Sequence, residues 1–146
     1  MRHQIKQRQA AERALNDQLE FMRSLVNGTP HPIYVRDRQG LLQSCNDSYL
    51  EAFNARREDI IGKGVVQGTL SNAFEAEAFQ ADYQRVIAEG IPLILDRPLH
   101  IGSRRLTIYH WILPYRDSSG AVQGIIGGWS DISERRQSFE KLRAAK

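Results

Sequence analysis

Apolar residues recur along this chain with two periods, and each change of period marks an element. No Gly or Pro interrupts residues 10–26, where Leu15, Leu19, Met22 and Val26 follow at intervals of four, three and four. That is the seam of a helix with heptad spacing. Upstream the register meets Glu12, Arg8 and Ile5, so the seam falls short of the three or four heptads that establish a coiled coil. Asn27-Gly28-Thr29-Pro30 and Pro32 end this helix.

Strand-like runs follow at residues 33–36 and 41–45, separated by Asp37-Arg38-Gln39-Gly40, which suits a tight turn and predicts a hairpin. Asn46 or Asp47 caps a short helix through Tyr49, Leu50 and Phe53, and a second short helix covers residues 57–61 before Gly62. Asn72-Ala73-Phe74-Glu75 has capping-box spacing and opens a longer helix with Phe79, Tyr83 and Val86 on one stripe, ended by Gly90 and Pro92. Residues 93–101, 104–115 and 121–130 read as a meander turned at Gly102-Ser103 and Asp117-Ser118-Ser119-Gly120. At Asp131 the apolar run gives way to a charged helix with Ile132, Phe139 and Leu142 at helical spacing, and Asp131 with Glu134 again has capping-box spacing. The expectation is an α+β domain between two helical arms: an arm at 1–28, a core at 29–130 and a second arm at 131–146.

The 146 residues, 41% of them hydrophobic, suit one domain with a modest core. No run approaches the roughly 20 apolar residues of a membrane span, and residues 1–23 are polar, unlike a signal peptide. The single cysteine, Cys45, excludes an internal disulfide and fits a reducing compartment, so the segment is read as cytoplasmic. The sequence pI near 9.2 raises the question of nucleic acid. However, residues 1–23 and 131–146 each hold five basic and three acidic side chains, leaving ten against eleven between them. The excess lies on the helical arms, without interleaved aromatics on the body, and no nucleic-acid partner is expected.

The element order, with Asp37-x-x-Gly40, Asn46 opening a helix, Asp117-x-x-Gly120 and Asp131-Ile132-Ser133-Glu134-Arg135, resembles a PAS domain over residues 29–136. The segments at 16–23, 32–37 and 124–129 resemble the PAS segment of BvgS-type hybrid sensor histidine kinases. The resemblance implies a five-stranded antiparallel sheet with helices on one face, placed between a membrane span and kinase helices. It implies a downstream kinase domain in the same chain, a membrane-receptor parent whose PAS segment is not itself embedded, and a homodimer formed through the flanking helices. Leu15, Leu19, Met22 and Val26 are then the dimer seam, and Asp131, Ser133, Glu134 and Arg135 the signal relay. Nothing resembles a phosphoacceptor helix, ATP-binding glycine boxes or a receiver's acidic pocket, so the segment is not read as an enzyme. Two alternatives stand beside this: a constitutive dimerisation spacer, and a sensor for another effector such as a diguanylate cyclase or transcription factor.

PAS domains often hold a small ligand between sheet and helices. Haem-binding members use a His on the longer helix, and residues 73–89 contain none. Flavin-adduct members use a Cys just before that helix, whereas Cys45 lies on the second strand, followed by Asn46-Asp47. Both cofactors are disfavoured, which leaves an unidentified small ligand, with Cys45, Asn46, Tyr49, Tyr83, His110 and Trp111 as candidate pocket lining. Cys45 has no basic neighbour in sequence and reads as a small buried hydrophobe rather than a redox sensor. Tyr109 and Trp129 read as packing. His3, His31, His100 and His110 lack zinc-ligand spacing, so no metal is expected. With the turn at Gly102-Ser103, His100 falls opposite Arg105 and on the other sheet face from His110. Flanked by Ile108 and Ile112, His110 is expected to be buried and to titrate near physiological pH. Residues 124–128 are a strand, not a phosphate loop, and no catalytic residue is assigned. Arg104 or Arg105 is expected to pair with Asp131 across the sheet end.

Overall fold

A computed structural model describes residues 2–70 and 72–144, with side chains from Ile5 onward except that of Ala73. The His3 side chain and the last two residues of the C-terminal arm therefore lie outside the described residues. The chain divides after Pro30 into two units. The first is a single helix, α1 (Arg2–Gly28). It starts well before residue 10, because its polar first turns are rich in the good helix formers Gln, Lys, Arg and Ala. Leu15, Leu19 and Met22 are at least half exposed, and Val26 is 39% exposed.

The second unit holds a five-stranded antiparallel sheet in the order β2-β1-β5-β4-β3. Its strands are β1 (Ile33–Asp37), β2 (Leu42–Cys45), β3 (Leu93–Ile101), β4 (Arg104–Arg116) and β5 (Val122–Asp131). Its helices are α2 (Asp47–Phe53), α3 (Arg57–Ile60), α4 (Ala73–Glu89) and α5 (Ser133–Ala144). The two sheet-end turns use one device. Asp37 Oδ1 accepts from the Gln39 and Leu41 amides at 2.9 Å, and Asp117 Oδ1 accepts from those of Ser119 and Ala121 at 2.9 and 3.1 Å. Gly40 and Gly120 supply the left-handed residue at φ 82° and 89°. Hydrogen bonds, first that of the Ser119 hydroxyl, hold the Asp117 carboxyl below its ordinary pKa.

Of the two possible caps for α2, Asn46 acts. Its Oδ1 accepts from the Tyr49 amide at 3.0 Å and the Ile33 amide at 2.9 Å, and its Nδ2 donates to His31 O at 2.9 Å. Asp47 instead faces Arg57 at 3.6 Å. Asn72 caps α4 by accepting from the Glu75 amide at 3.1 Å. The expected reciprocal bond from the Glu75 carboxylate is replaced by two bonds to β3, from the His100 amide at 2.8 Å and His100 Nδ1 at 2.5 Å. The first turn of α4 is thereby tied to the sheet edge.

The inner face of the sheet packs against α4 through Ala76, Phe79, Tyr83 and Val86 and against Tyr49 of α2. Leu99, Ile108, Ile112 and Ile125 are fully buried there, each contributing about 1.5–3 kcal/mol of hydrophobic stabilisation. β5 passes between β1 and β4, with Tyr34 opposite Gly127 and Trp111 opposite Gly128. A methyl group on Gly127 would run into the Tyr34 ring. Gly127→Ala is therefore expected to lower unfolding stability by about 1–3 kcal/mol, read as a lower urea midpoint, with a change in near-ultraviolet circular dichroism from the displaced Tyr34. A midpoint within error of the parent would show that Tyr34 is not held against this strand.

Candidate functional site

The alternation of Ile33-Tyr34-Val35-Arg36 would conventionally bury Ile33 and Val35. The fold does the opposite: Tyr34 and Arg36 are 2% and 1% exposed on the inner face, and Ile33 and Val35 are half-buried on the other. Together with His110 and Asn46, both fully buried, they make a polar interior. Tyr34 Oη lies 2.6 Å from His110 Nε2, and His110 Nδ1 lies 3.3 Å from Arg97 Nη1. Arg97 in turn pairs with Asp82 of α4 and stacks over Phe79, its guanidinium carbon 4.4 Å from the ring centroid. A guanidinium only donates, so Nδ1 accepts from Arg97, the ring proton sits on Nε2, and His110 donates to the Tyr34 hydroxyl. The chain Asp82–Arg97–His110–Tyr34 thus links α4, β3, β4 and β1.

Arg36 anchors the opposite side of this interior. Its Nη1 donates to Gly40 O at 3.0 Å and Lys63 O at 3.3 Å, and its Nη2 donates to Tyr49 Oη at 3.3 Å. Tyr49 Oη is also 3.1 Å from Thr69 Oγ1. Burial pushes the Tyr34 and Tyr49 phenols above their ordinary pKa. Cys45 is buried as well. Arg57, absent from its sequence neighbourhood, comes within 4.0 Å of its sulfur, yet burial outweighs that charge and pushes the thiol up.

Of the six candidate pocket residues, five face this interior or its rim: Cys45, Asn46, Tyr49, Tyr83 and His110. Asn46 spends its amide on backbone groups. Trp111 does not belong with them. Strand alternation puts it on the outer face, opposite Gly128 and beside Tyr109 and His31, at ring-centroid distances of 6.2 and 6.3 Å. Trp129, by contrast, is on the inner face against Phe53 at 6.2 Å. His100 stands opposite Arg105 on β4. Among the described residues no three His, Cys, Asp or Glu side chains come together as a metal site.

At the exit, Asp131 is the last residue of β5, opposite Ile108, and not the cap of α5. Ladder bonding continues one step past it, the Ile132 amide donating to Thr107 O at 2.9 Å. The Asp131 carboxylate, held in the strand, reaches two residues on and accepts from the Ser133 amide at 3.0 Å and the Ser133 hydroxyl at 2.6 Å. Ser133 Oγ accepts in turn from the Thr107 amide at 2.9 Å. The expected box with Glu134 is replaced by this Asp131–Ser133–Thr107 clamp, and the Asp131 carboxylate is engaged with Ser133 rather than with Arg104 or Arg105. Arg135 faces a groove of about 520 Å³ between α5 and the outer sheet face, lined also by Tyr109, Ser130, Ile132 and Phe139.

Sequence reasoning missed Tyr34, Arg36, Asp82, Arg97 and Thr107. One signal was available for two of them: Tyr34 and Arg36 stand two apart on one strand and must share a face. His110 also departs from expectation. Burial first, then Arg97 and Arg36, pushes its pKa down to about 3 from 6.5, so it is neutral throughout the physiological range. The unfolded chain takes up the proton below pH 6.5 and the folded one does not, so stability present above that pH is lost as pH falls towards 3. The loss should reach roughly 2 kcal/mol between pH 6 and 4.5, at about 1.4 kcal/mol per unit. Urea unfolding across that window should show it, and His110→Phe should flatten the slope; an equal slope in the variant would remove His110 as its source.

The family model for the PAS fold matches residues 26–137. The virulence sensor protein BvgS of Bordetella pertussis is 46% identical over 148 aligned residues, covering all of this chain and 12% of that protein. The solved PAS domain of B. pertussis BvgS superposes with a TM-score of 0.72 at 40% identity, over 88% of this chain and 96% of that one. The Vibrio cholera VqmA–ligand–DNA complex matches with a TM-score of 0.70 at 26% identity, over 78% of this chain and 51% of that one. The chain spans about an eighth of the length of BvgS. Sheet order, turn chemistry and these matches together place it: the chain belongs to the PAS-domain family.

Proposed function

We propose that this chain is the sensory PAS segment of a two-component sensor histidine kinase, which relays conformational change through its core into kinase helices that follow α5. The observation that carries this is the exit clamp. β4 contributes His110 to the buried polar chain and Thr107, three residues earlier, to the clamp. A shift of β4 that repacks the interior therefore moves the backbone group that holds Ser133 and the start of α5. The 46% identity to BvgS supports the same reading.

In this proposal the arms at 1–28 and 131–146 flank a core at 29–130, the segment is cytoplasmic, and its parent is a membrane receptor. Among the described residues no helix is long and apolar enough to cross a membrane. Homodimerisation uses the exposed seam of Leu15, Leu19, Met22 and Val26. A small ligand in the interior, neither haem nor flavin, shifts the equilibrium only through different affinities for the two arrangements. The ligand and DNA in the VqmA complex favour a second reading, in which the same core serves a DNA-binding effector. Coding sequence beyond Lys146 that runs into a phosphoacceptor helix would support the kinase; a helix-turn-helix there would replace it with the second reading.

Asp131→Ala and Ser133→Ala are expected to cost about 1 kcal/mol of stability through the lost hydrogen bonds and to abolish the signal-dependent change in autophosphorylation of the intact receptor. A full response in both variants would remove the clamp from the relay. Native mass spectrometry of the purified chain should show a dimer that Leu19→Lys converts to monomer. A monomeric parent chain would refute the seam.

A further inference from the structure

Arginine presents five N–H donors around a permanent positive charge, and burying that charge is costly unless an anion compensates it. Arg36 is buried from solvent, and three of its donors are met, by Gly40 O, Lys63 O and Tyr49 Oη. Its Nε has no acceptor among the described residues, and of the two N–H groups on Nη2 one is given to Tyr49 Oη. The Nε and Nη2 groups lie along one edge of the guanidinium, the fork that matches the two oxygens of a carboxylate.

Among the described residues no acceptor lies within hydrogen-bond distance of the Nε on this edge. The carboxylates in ion pairs face Arg23, Arg56, Arg57, Arg85, Arg97 and His100. The Tyr34 and Tyr49 phenols beside Arg36 are held neutral by burial, so neither supplies a negative charge. The edge is also fixed in place: the guanidinium carbon lies 5.5 Å from the Tyr34 ring centroid and 5.2 Å from that of Tyr83.

We propose that the Nε–Nη2 edge of Arg36 is the binding site for a small aliphatic monocarboxylate, whose two oxygens accept the two N–H groups inside the interior formed by β1, α2 and α4. One negative charge is the right number. Arg97 is already compensated by Asp82, so a dicarboxylate or phosphate would bring charge that nothing balances. The tyrosine rings around the edge favour an apolar tail of a few carbons. The inference rests on the small-ligand reading above and names the ligand's chemistry, and it is separable from the relay, because binding holds or fails on the isolated chain whether or not Asp131 transmits anything.

The test is two-dimensional ¹H–¹⁵N NMR of arginine Nε–H groups in the purified full chain. Sodium acetate, propionate, butyrate or hexanoate replaces sodium chloride at constant ionic strength, with the matching primary amides as uncharged controls. The Arg36 resonance is assigned by its contacts to the Tyr34 and Tyr83 rings, so the reading does not require a folded variant. At least one carboxylate should move that resonance downfield, slow its solvent exchange at least tenfold and raise the melting temperature of the parent chain, and Arg36→Lys should need at least tenfold more of that carboxylate for the same rise. A resonance indifferent to all four carboxylates overturns the proposal, as does an equal response to the amides.

Discussion

β5 must run between two partners and beneath two large rings, and most of the structure depends on that constraint. It is hydrogen-bonded to β1 on one edge and β4 on the other, so no other strand can bring Tyr34 and His110 into register. Gly127 lets the Tyr34 ring lie across it on the inner face, and Gly128 lets Trp111 do so on the outer face. With a side chain at Gly127 the Tyr34 hydroxyl could not lie 2.6 Å from His110, and the polar interior would lose its central contact. The strand that makes this room also ends at Asp131, where the chain leaves for α5.

The buried polar groups of the interior include a guanidinium and an imidazole, Arg36 and His110. A neutral imidazole between a guanidinium and a phenol is fully specified: one ring nitrogen accepts, the other donates, and burial keeps the second proton off. Buried polar networks are costly wherever they are only partly satisfied. Arg36 is the one place in the described interior where a buried side-chain donor atom lacks its acceptor.

Much of the fold was legible in the residues, because it rests on local chemistry. The Asp-x-x-Gly turns, the Asn caps and the Gly90 stop act within four residues of themselves, and the structure places them where the pattern predicts. Pattern and structure part where a distant strand competes for the same groups. Glu75 leaves its own helix start for His100, and Asp131 stays in the ladder because Thr107 continues to pair beyond it. Trp111 is aromatic like the pocket residues, but its parity on β4 sends it to the opposite face from His110.

The sequence by itself determined the element order, the two Asp-x-x-Gly turns, the Asn72 cap and the Gly90 stop, since each turn, cap and stop depends on backbone groups a few residues apart. Only the tertiary structure decided which face of β1 is buried, that His110 is held neutral between Tyr34 and Arg97, and that Arg36 stands in the core with an Nε that lacks an acceptor among the described residues. The physical reason is that these depend on desolvation and on partners contributed by β1, β3, β4 and α4, and neither is encoded in the spacing of any one segment.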